Sequence, residues 1–201
     1  MKRLFDIVFS TMALILLGPI ILLICALILI KDGAPAFFRQ QRIGKDGKPF
    51  MLVKFRTMRK DAERMGRISI GERDPRVTDI GYWLRQRKLD ELPQLWNIWK
   101  GEMSIIGPRP EVAEYVALYD DRQRAVLKVR PGLSDPASLA YFDESRILAD
   151  AEDPHRAYIE EVMPAKLDMN LSYIDKAHLG TDLRIIAQTI ARIFSSNPSN
   201  P

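Results

Sequence analysis

The sequence predicts an α+β fold, mostly helical, held as a single domain on a membrane by an N-terminal helix that breaks at its middle. Three observations carry this expectation. Residues Ile7 to Ile30 form a run of 24 without a charge, with Gly18-Pro19 near its centre. Two extended segments flank Gly44-Lys45-Asp46-Gly47-Lys48, where Asp-Gly is a strong hairpin signal. From Thr78 onward, apolar residues recur at helical spacing between proline and glycine punctuation.

As a helix the apolar run would be about 36 Å long, enough to cross a hydrocarbon core of about 30 Å. Pro19 removes a helical hydrogen bond and crowds the preceding turn, and Gly18 lowers the cost of bending there. Lys2 and Arg3 precede the run, while Lys31, Arg39, Arg42, Lys45 and Lys48 follow it, so both flanks read as cytoplasmic. Two half-helices, 7–17 and 20–30, would each be about 16 Å long and reach roughly to the bilayer centre and back. Residues 1–31 are therefore expected to be re-entrant, with a kinked single span as the alternative. A cleaved signal peptide fits less well, because Lys-Asp-Gly follows where a small-residue cleavage site would stand.

Residues 32–194 are expected to form the domain proper. A β-hairpin pairs Ala36 to Ile43 with Pro49 to Met58, and the second strand places Lys54, Arg56 and Met58 on one face. Asp61 to Asp74 reads as a short helix passing into a mobile loop. Ile80, Trp83 and Leu84 share one helix face, and Leu89, Leu92, Leu95, Trp96 and Trp99 another. Trp96 and Trp99 suit either an interfacial helix lying on the bilayer or an ordinary core. A helix from about Leu89 ends at Lys100-Gly101, and a stiff Gly107-Pro108-Arg109-Pro110 turn feeds a helix over about 111–128. Turns follow at Arg130-Pro131-Gly132 and Ser134-Asp135-Pro136. Asp153-Pro154 opens another helix, Pro164 interrupts or restarts it, and Thr181 caps a last one bearing Leu183, Ile186, Ile190 and Ile193. Residues 195–201 read as a disordered tail.

The 30 basic and 26 acidic residues are mixed along the chain, leaving +4. That is too mild and too dispersed for a nucleic-acid partner, and better suited to a membrane surface or a phosphorylated ligand. Cys25 is the only cysteine, which excludes an intramolecular disulfide framework, and His155 and His178 have no spacing suited to zinc.

The chemistry-bearing segment is Leu89-Asp90-Glu91-Leu92-Pro93-Gln94. Acidic residues in a first helical turn occur simply because the macrodipole favours them, and there both should stay ionised. Their directions differ by about 100°, so they are expected to take different partners instead of sharing a proton. Cations surround them in sequence: Arg85, Arg87 and Lys88 before, and Arg109 in the proline-bracketed turn after. Guanidinium groups suit phosphate, and carboxylates can hold Mg²⁺ that bridges phosphate oxygens. There is no Walker loop and no Gly-x-Gly-x-x-Gly.

At these residues the chain resembles the monotopic phosphoglycosyl transferases, also called bacterial sugar transferases. The likeness runs almost end to end: Lys2-Arg3-x-Phe5-Asp6, a proline-broken apolar run, Gln41-Arg42-x-Gly44, Lys54-Phe55-Arg56-Thr57-Met58 and Arg85. It continues through Leu89 to Asn97, Lys100-Gly101-Glu102-Met103-Ser104, Gly107-Pro108-Arg109-Pro110 and Arg130-Pro131-Gly132. The resemblance implies a catalytic domain on the cytoplasmic face of a bacterial inner membrane. It implies transfer of a sugar phosphate from a UDP-sugar to undecaprenyl phosphate with release of UMP, the first membrane step of glycan assembly. Mg²⁺ would be the cofactor, with Asp90 and Glu91 as its ligands, and downstream glycosyltransferases would be partners. Asp90 would be a nucleophile forming a phosphosugar-aspartyl intermediate, Glu91 its essential neighbour, and Arg85, Arg109, Lys54, Arg56 and Arg130 substrate-binding.

Three positions depart from the family pattern. Gly18 stands where relatives often have serine before the proline, and Lys88 where many place a serine. Leu133-Ser134-Asp135-Pro136-Ala137-Ser138 replaces a Gly-Trp-Ala-Gln type run, so the identity of the sugar does not transfer. Two rival readings are a membrane-anchored scaffold without catalysis and a nucleotide-sugar pyrophosphate hydrolase.

Overall fold

The computed structural model describes residues 2–60, 62 and 74–195. The chain is mostly helical, with two small sheets and a long apolar helix at its N-terminus. That helix, α1 (Lys2–Lys31), runs unbroken with Pro19 inside it. The helical assignment runs through Gly18-Pro19, where Pro19 removes one backbone hydrogen bond, and a proline bend is compatible with helix on both sides of it. Most of α1 faces outward, with Leu4, Ile15, Leu16, Leu22 and Ile30 each at least two-thirds exposed. By length and composition it could cross a bilayer.

Both ends of α1 nevertheless dock on the same domain. Near the N-terminal end, Arg3 donates from Nη1 to the Ile98 carbonyl (2.6 Å) and from Nη2 to that of Trp99 (2.7 Å). Asp6, 2% exposed, accepts from Ser104 Oγ and from the Ile105 amide. At the other end Ile24 and Ile28 are buried with Ala36, Phe55 and Leu84, and Thr78 Oγ1 donates to Asp32 (2.7 Å).

The predicted hairpin is present: β1 (Phe37–Ile43) and β2 (Pro49–Phe55) pair antiparallel from Phe37↔Phe55 to Ile43↔Pro49. Asp46 and Gly47 both take positive φ at its tip, the reason Asp-Gly marks such turns. The strand stops at Phe55, three residues earlier than expected, and Lys54 and Arg56 then part company, as described below. The expected short helix and loop over 61–74 lies, apart from Ala62 and Asp74, outside the described residues.

Helix α2 (Asp79–Gln86) is capped by Thr78, whose Oγ1 accepts from the Gly81 amide (3.0 Å). Leu84 faces the core, whereas Trp83 is 43% exposed under the Arg87 guanidinium. The expected helix from Leu89 begins instead as a one-turn 3₁₀ segment, Leu89–Glu91, preceded by Lys88 at φ 54°; α3 (Gln94–Lys100) starts after Pro93 and ends on Gly101 at φ 88°. Pro93 explains the delay, because it cannot donate within a continuous helix. Trp96 and Trp99 are nearly half exposed and stack on one another at 5.0 Å, so neither is a core residue.

Strand β3 (Ser104–Ile106) pairs in parallel with β4 (Gly132–Ser134), register Ser104↔Gly132 and Ile106↔Ser134. Both strands are too short to show a period of two, and the sequence signals only their turns. The helix expected over 111–128 is reduced to α4 (Ala113–Val116) and a 3₁₀ segment, Gln123–Lys128. A reciprocal cap separates them: the Gln123 amide donates to Asp120 Oδ1 (2.7 Å) and the Asp120 amide to Gln123 Oε1 (3.0 Å), which resets the backbone as a capping box does.

Asp135 proves to be an N-cap and not only a turn residue, accepting from the Ser138 amide ahead of α5 (Pro136–Ala140). After α6 (Glu144–Ala149), Asp153 caps α7 (Pro154–Ala157) as expected. The chain then passes through a π-turn, Tyr158–Val162, into α8 (Met163–Asp175). Pro164 sits just past this wider turn, where its missing N–H is tolerated. The last helix, α9 (Leu179–Ser195), starts two residues before Thr181. Its N-terminal amides are met by His178 Nδ1, 3.1 Å from the Gly180 nitrogen, so the cap belongs to His178. Ser195 is helical, and the rest of the expected tail lies outside the described residues.

Candidate active site

The hairpin, the 3₁₀ turn and the Gly107–Pro110 turn converge on an open cleft of about 2500 Å³. Asp90, Glu91, Lys54, Arg85 and Arg109 all line it, so five sequence-picked residues from four separate segments are brought together. Each is placed by local structure. Lys88 in the left-handed region turns the chain into the Leu89–Glu91 segment that carries Asp90. Gly81 lets α2 lie against the end of the hairpin, since a Cβ there would fall 2.1 Å from the Thr57 carbonyl oxygen. That approach brings Arg85 Nε to Thr57 Oγ1 (2.9 Å).

Arg109 is positioned by an equally close approach. A Cβ on Gly132 would sit 2.1 Å from the Gly107 nitrogen, and the two segments exchange bonds from Gly107 N to Ser134 O (3.1 Å) and from Gly132 N to Pro108 O (2.9 Å). Arg42 braces the far side of the turn, donating to the Pro110 carbonyl (3.0 Å) and to Glu111 (3.2 Å).

The two carboxylates have opposite surroundings. Glu91 accepts from Arg109 through both of its oxygens, at 2.5 and 3.3 Å, and from Lys54 at 3.3 Å. Burial opposes its charge, yet Arg109 and Lys54 together hold it well below the usual carboxylate range. Asp90, 8% exposed, makes no side-chain hydrogen bond or ion pair with any other described residue. Burial pushes its carboxyl up and the Glu91 charge adds to this, offset in part by Lys54, Arg85 and Lys88. The helix N-terminus is therefore not what governs Asp90, whose carboxyl is harder to ionise than an ordinary aspartate. The turn is three residues of 3₁₀ helix, too short for a large dipole, and burial outweighs it. Of the two acids expected to take different partners, only Glu91 has side-chain partners among the described residues. Burial also lowers the Lys54 and Arg85 pKa values, while Glu91 raises that of Arg109.

Arg56 and Arg130 both hold backbone carbonyls. Arg56 lies at the cleft wall, but its Nη2 donates to the Asp32 (2.9 Å) and Gly33 (2.5 Å) carbonyls at the C-terminal end of α1. Arg130 donates to the Gly101 carbonyl (2.9 Å) and stands outside the cleft. Sequence reasoning missed Lys166 and Glu144, which pair at 2.5 Å on the cleft wall; no motif marks either. Among the described residues no cluster of three or more Asp, Glu, His or Cys side chains could hold a metal. Glu91 is committed to two cations, so of the two expected Mg²⁺ ligands only Asp90 has free oxygens.

Residues 1–196 match the bacterial sugar transferase family. The chain belongs to that family. A similar protein is the uncharacterized sugar transferase EpsL of Bacillus subtilis, 34% identical over 98% of this chain and 88% of its own. The exopolysaccharide production protein ExoY of Rhizobium meliloti is 43% identical over 66% of each chain. The UDP-glucose:undecaprenyl-phosphate glucose-1-phosphate transferase of Klebsiella pneumoniae is 34% identical over 96% of this chain but 40% of its own length. The chain thus spans less than half of that longer relative.

Proposed function

We propose that this sugar transferase moves a sugar phosphate from a UDP-sugar to undecaprenyl phosphate, releasing UMP, by way of an aspartyl phosphosugar on Asp90. The observation that carries this reading is a buried carboxylate without a side-chain partner, facing Lys54 and Arg85, beside a second carboxylate that is already neutralised. Such a group is available for attack, and Glu91 is not.

In the first step an Asp90 oxygen attacks the phosphorus bearing the sugar; the phosphoanhydride bond breaks, and UMP leaves with the bridging oxygen and its electron pair. In the second, an oxygen of the lipid phosphate attacks the same phosphorus and expels the Asp90 carboxylate. An alkyl phosphate has a second pKa of about 6, so the acceptor is largely dianionic at neutral pH and needs little help from a general base. Arg85, Lys54 and Arg109 place fixed positive charge where two anions must meet. Glu91 acts as a positioning residue, holding the Arg109 fork in one orientation. Mg²⁺ fits the donor set through Asp90 alone together with phosphate oxygens, the sparse protein ligation it commonly accepts, and would supply further charge neutralisation.

Two bulky anionic substrates then need not occupy the cleft at once. The docking of both α1 ends on one domain supports a re-entrant helix, because a straight crossing would carry one end about 30 Å from that domain. The domain is accordingly assigned to the cytoplasmic face of the bacterial inner membrane, where UDP-sugars reside.

Incubating the purified chain with a UDP-sugar panel and no lipid tests the reaction. UMP should appear in stoichiometric amount, with a phosphosugar mass added to Asp90. UMP release that strictly requires the lipid, or steady release of free sugar phosphate as a hydrolase would give, overturns the scheme. Labelling of Leu4→Cys and Lys31→Cys in a Cys25→Ser background tests the topology. Both should react from the cytoplasmic side, and opposite sidedness defeats re-entry.

A further inference from the structure

The cleft does not end at the charged residues. It continues between the first half of α1 and α9, where Leu16, Leu17, Leu133, Ile186, Ile190 and Ile193 form its walls. Only Asp182 and Ile185 of α9 are buried, while Ile190 is 49% and Phe194 85% exposed. Leu17, Leu133 and Ile186 back onto the core beneath, whereas Leu16, Ile190 and Phe194 stand largely exposed above it.

Helix α9 is nonetheless fixed firmly along its length. Asp182 accepts from Lys2 Nζ and from the Tyr173 hydroxyl, each at 2.5 Å. Thr189 Oγ1 shares a hydrogen bond of 2.7 Å with Ser134 Oγ. Arg192 pairs with Asp143 at 3.2 Å and lies over the Phe142 ring at 5.1 Å. A wall tied to α1, β4 and the α5–α6 loop keeps a set distance from Asp90.

We propose that α9 and the first half of α1 form a slot for the isoprenoid units nearest the phosphate of the lipid acceptor. The proposal rests on the transferase reading and assigns α9 a substrate-binding part. Its occupant follows from continuity and charge: one cleft is cationic at one end and apolar along the other, which matches a single-chain amphiphile with an anionic head. Bilayer lipid is as apolar as leucine, so burial alone gives the prenyl chain little preference for the wall. Selection comes from the wall's shape and its fixed distance from Lys54, Arg85 and Arg109.

The test uses the full chain in lipid nanodiscs and a polyprenyl phosphate carrying a photoreactive group in its first isoprenoid units, with cross-links mapped by peptide mass spectrometry. Cross-links should concentrate in 12–17 and 186–194 and be displaced by unlabelled polyprenyl phosphate, but not by excess phosphatidylglycerol. Ile190→Glu should cut the yield about tenfold, because it sets a charged group in the apolar wall that the prenyl chain would have to cover. Leu183→Glu, at an equally exposed position of α9 outside the cleft, should leave the yield unchanged. Both positions lie off the core, so folding is preserved. Cross-links spread over Leu4, Leu22 and Ile30, displacement by phosphatidylglycerol, or equal loss in the two variants overturns the proposal. This readout needs no turnover: cross-linking to α9 without UMP release would sink the reaction scheme alone, and turnover with scattered cross-links would sink the slot alone.

Discussion

Arg109 grips Glu91 through both carboxylate oxygens, and this one pair decides which of two adjacent acids is free to react. With Lys54 also on Glu91, the charge of Glu91 is satisfied inside the protein. Asp90 bears its desolvation with only partial compensation from Lys54, Arg85 and Lys88. Chemistry at Asp90 and positioning at Glu91 therefore follow from one geometric fact.

Glu91→Gln should be costly to the fold as well as to the reaction. It strands two largely buried cations, and breaking a buried pair costs roughly 3–5 kcal/mol. Arg109 is a third exposed, so about 2–3 kcal/mol is expected here. Chemical denaturation should register the loss. Glu91 is held low, so its contribution is present above the ordinary Glu pKa of about 4.3 and disappears as pH falls below that. The variant and parent should converge in acid.

Asp90→Asn should do the reverse to stability. The Asp90 pKa is raised in the folded state, so its ionisation costs stability at pH values above the unfolded pKa of about 3.9. The amide removes that cost and the repulsion from Glu91. The melting temperature should rise at neutral pH, with the gain vanishing at acid pH. Loss of the nucleophile should at the same time lower UMP release by about three orders of magnitude or more. A lowered melting temperature would show that Asp90 is a structural acid.

The acid limb of the pH–rate profile should report the same group. Attack needs the carboxylate, and burial with Glu91 raises the Asp90 pKa; activity should fall, as pH drops, at a pH above that of an ordinary Asp. Lys54→Met removes one attraction that favours the charged form, so the limb should move to still higher pH. A limb that stays put, measured on lipid-independent UMP release, would mean that another group titrates.

The hairpin, the acidic turn and the Gly107–Pro110 turn were legible because each is written in local chemistry: Asp-Gly at positive φ, paired acids before a proline, glycine and prolines bracketing an arginine. What escaped was long-range. Lys54 and Arg56 share a strand face on paper, but the ladder ends at Phe55, and Arg56 turns to the carbonyls at the end of α1. Nothing local announces that Asp32 and Gly33 lie there. Lys166 and Glu144 meet across 22 positions with no pattern to join them. Asp120 and Gln123 are a different case, since the capping signature was present in the sequence but outweighed by the helical expectation around it.

Phe142 should act as a strap at the rim of the site. Lys88 lies 4.6 Å from its ring and Arg192 5.1 Å, so one aromatic ties the turn before Asp90 to α9. Each cation–ring contact is worth about 0.5–1 kcal/mol at an exposed site. Phe142→Ala should therefore cost only about 1–2 kcal/mol in total stability, while amide exchange in 141–150 speeds up. Unchanged exchange there would show that the loop is held by other contacts.

Gly132→Ala should disable the site from a distance. The added methyl would lie 2.1 Å from the Gly107 nitrogen and 2.3 Å from its carbonyl oxygen, and backbone cannot move aside as a flexible side chain does. The Ser104↔Gly132 and Ile106↔Ser134 pairing must therefore loosen, at a cost of about 1–3 kcal/mol or more. Arg109 hangs from that junction, so its fork should no longer meet both Glu91 oxygens. With Glu91 less neutralised, its repulsion of Asp90 grows and the Asp90 pKa rises further, so the acid limb of UMP release should shift upward even where the fold survives. Arg109→Lys leaves the junction intact but removes the fork, and should reproduce the shift without the loss of stability from strand separation. A Gly132→Ala protein with parental pH dependence would show that the β3–β4 junction does not set the Arg109 position.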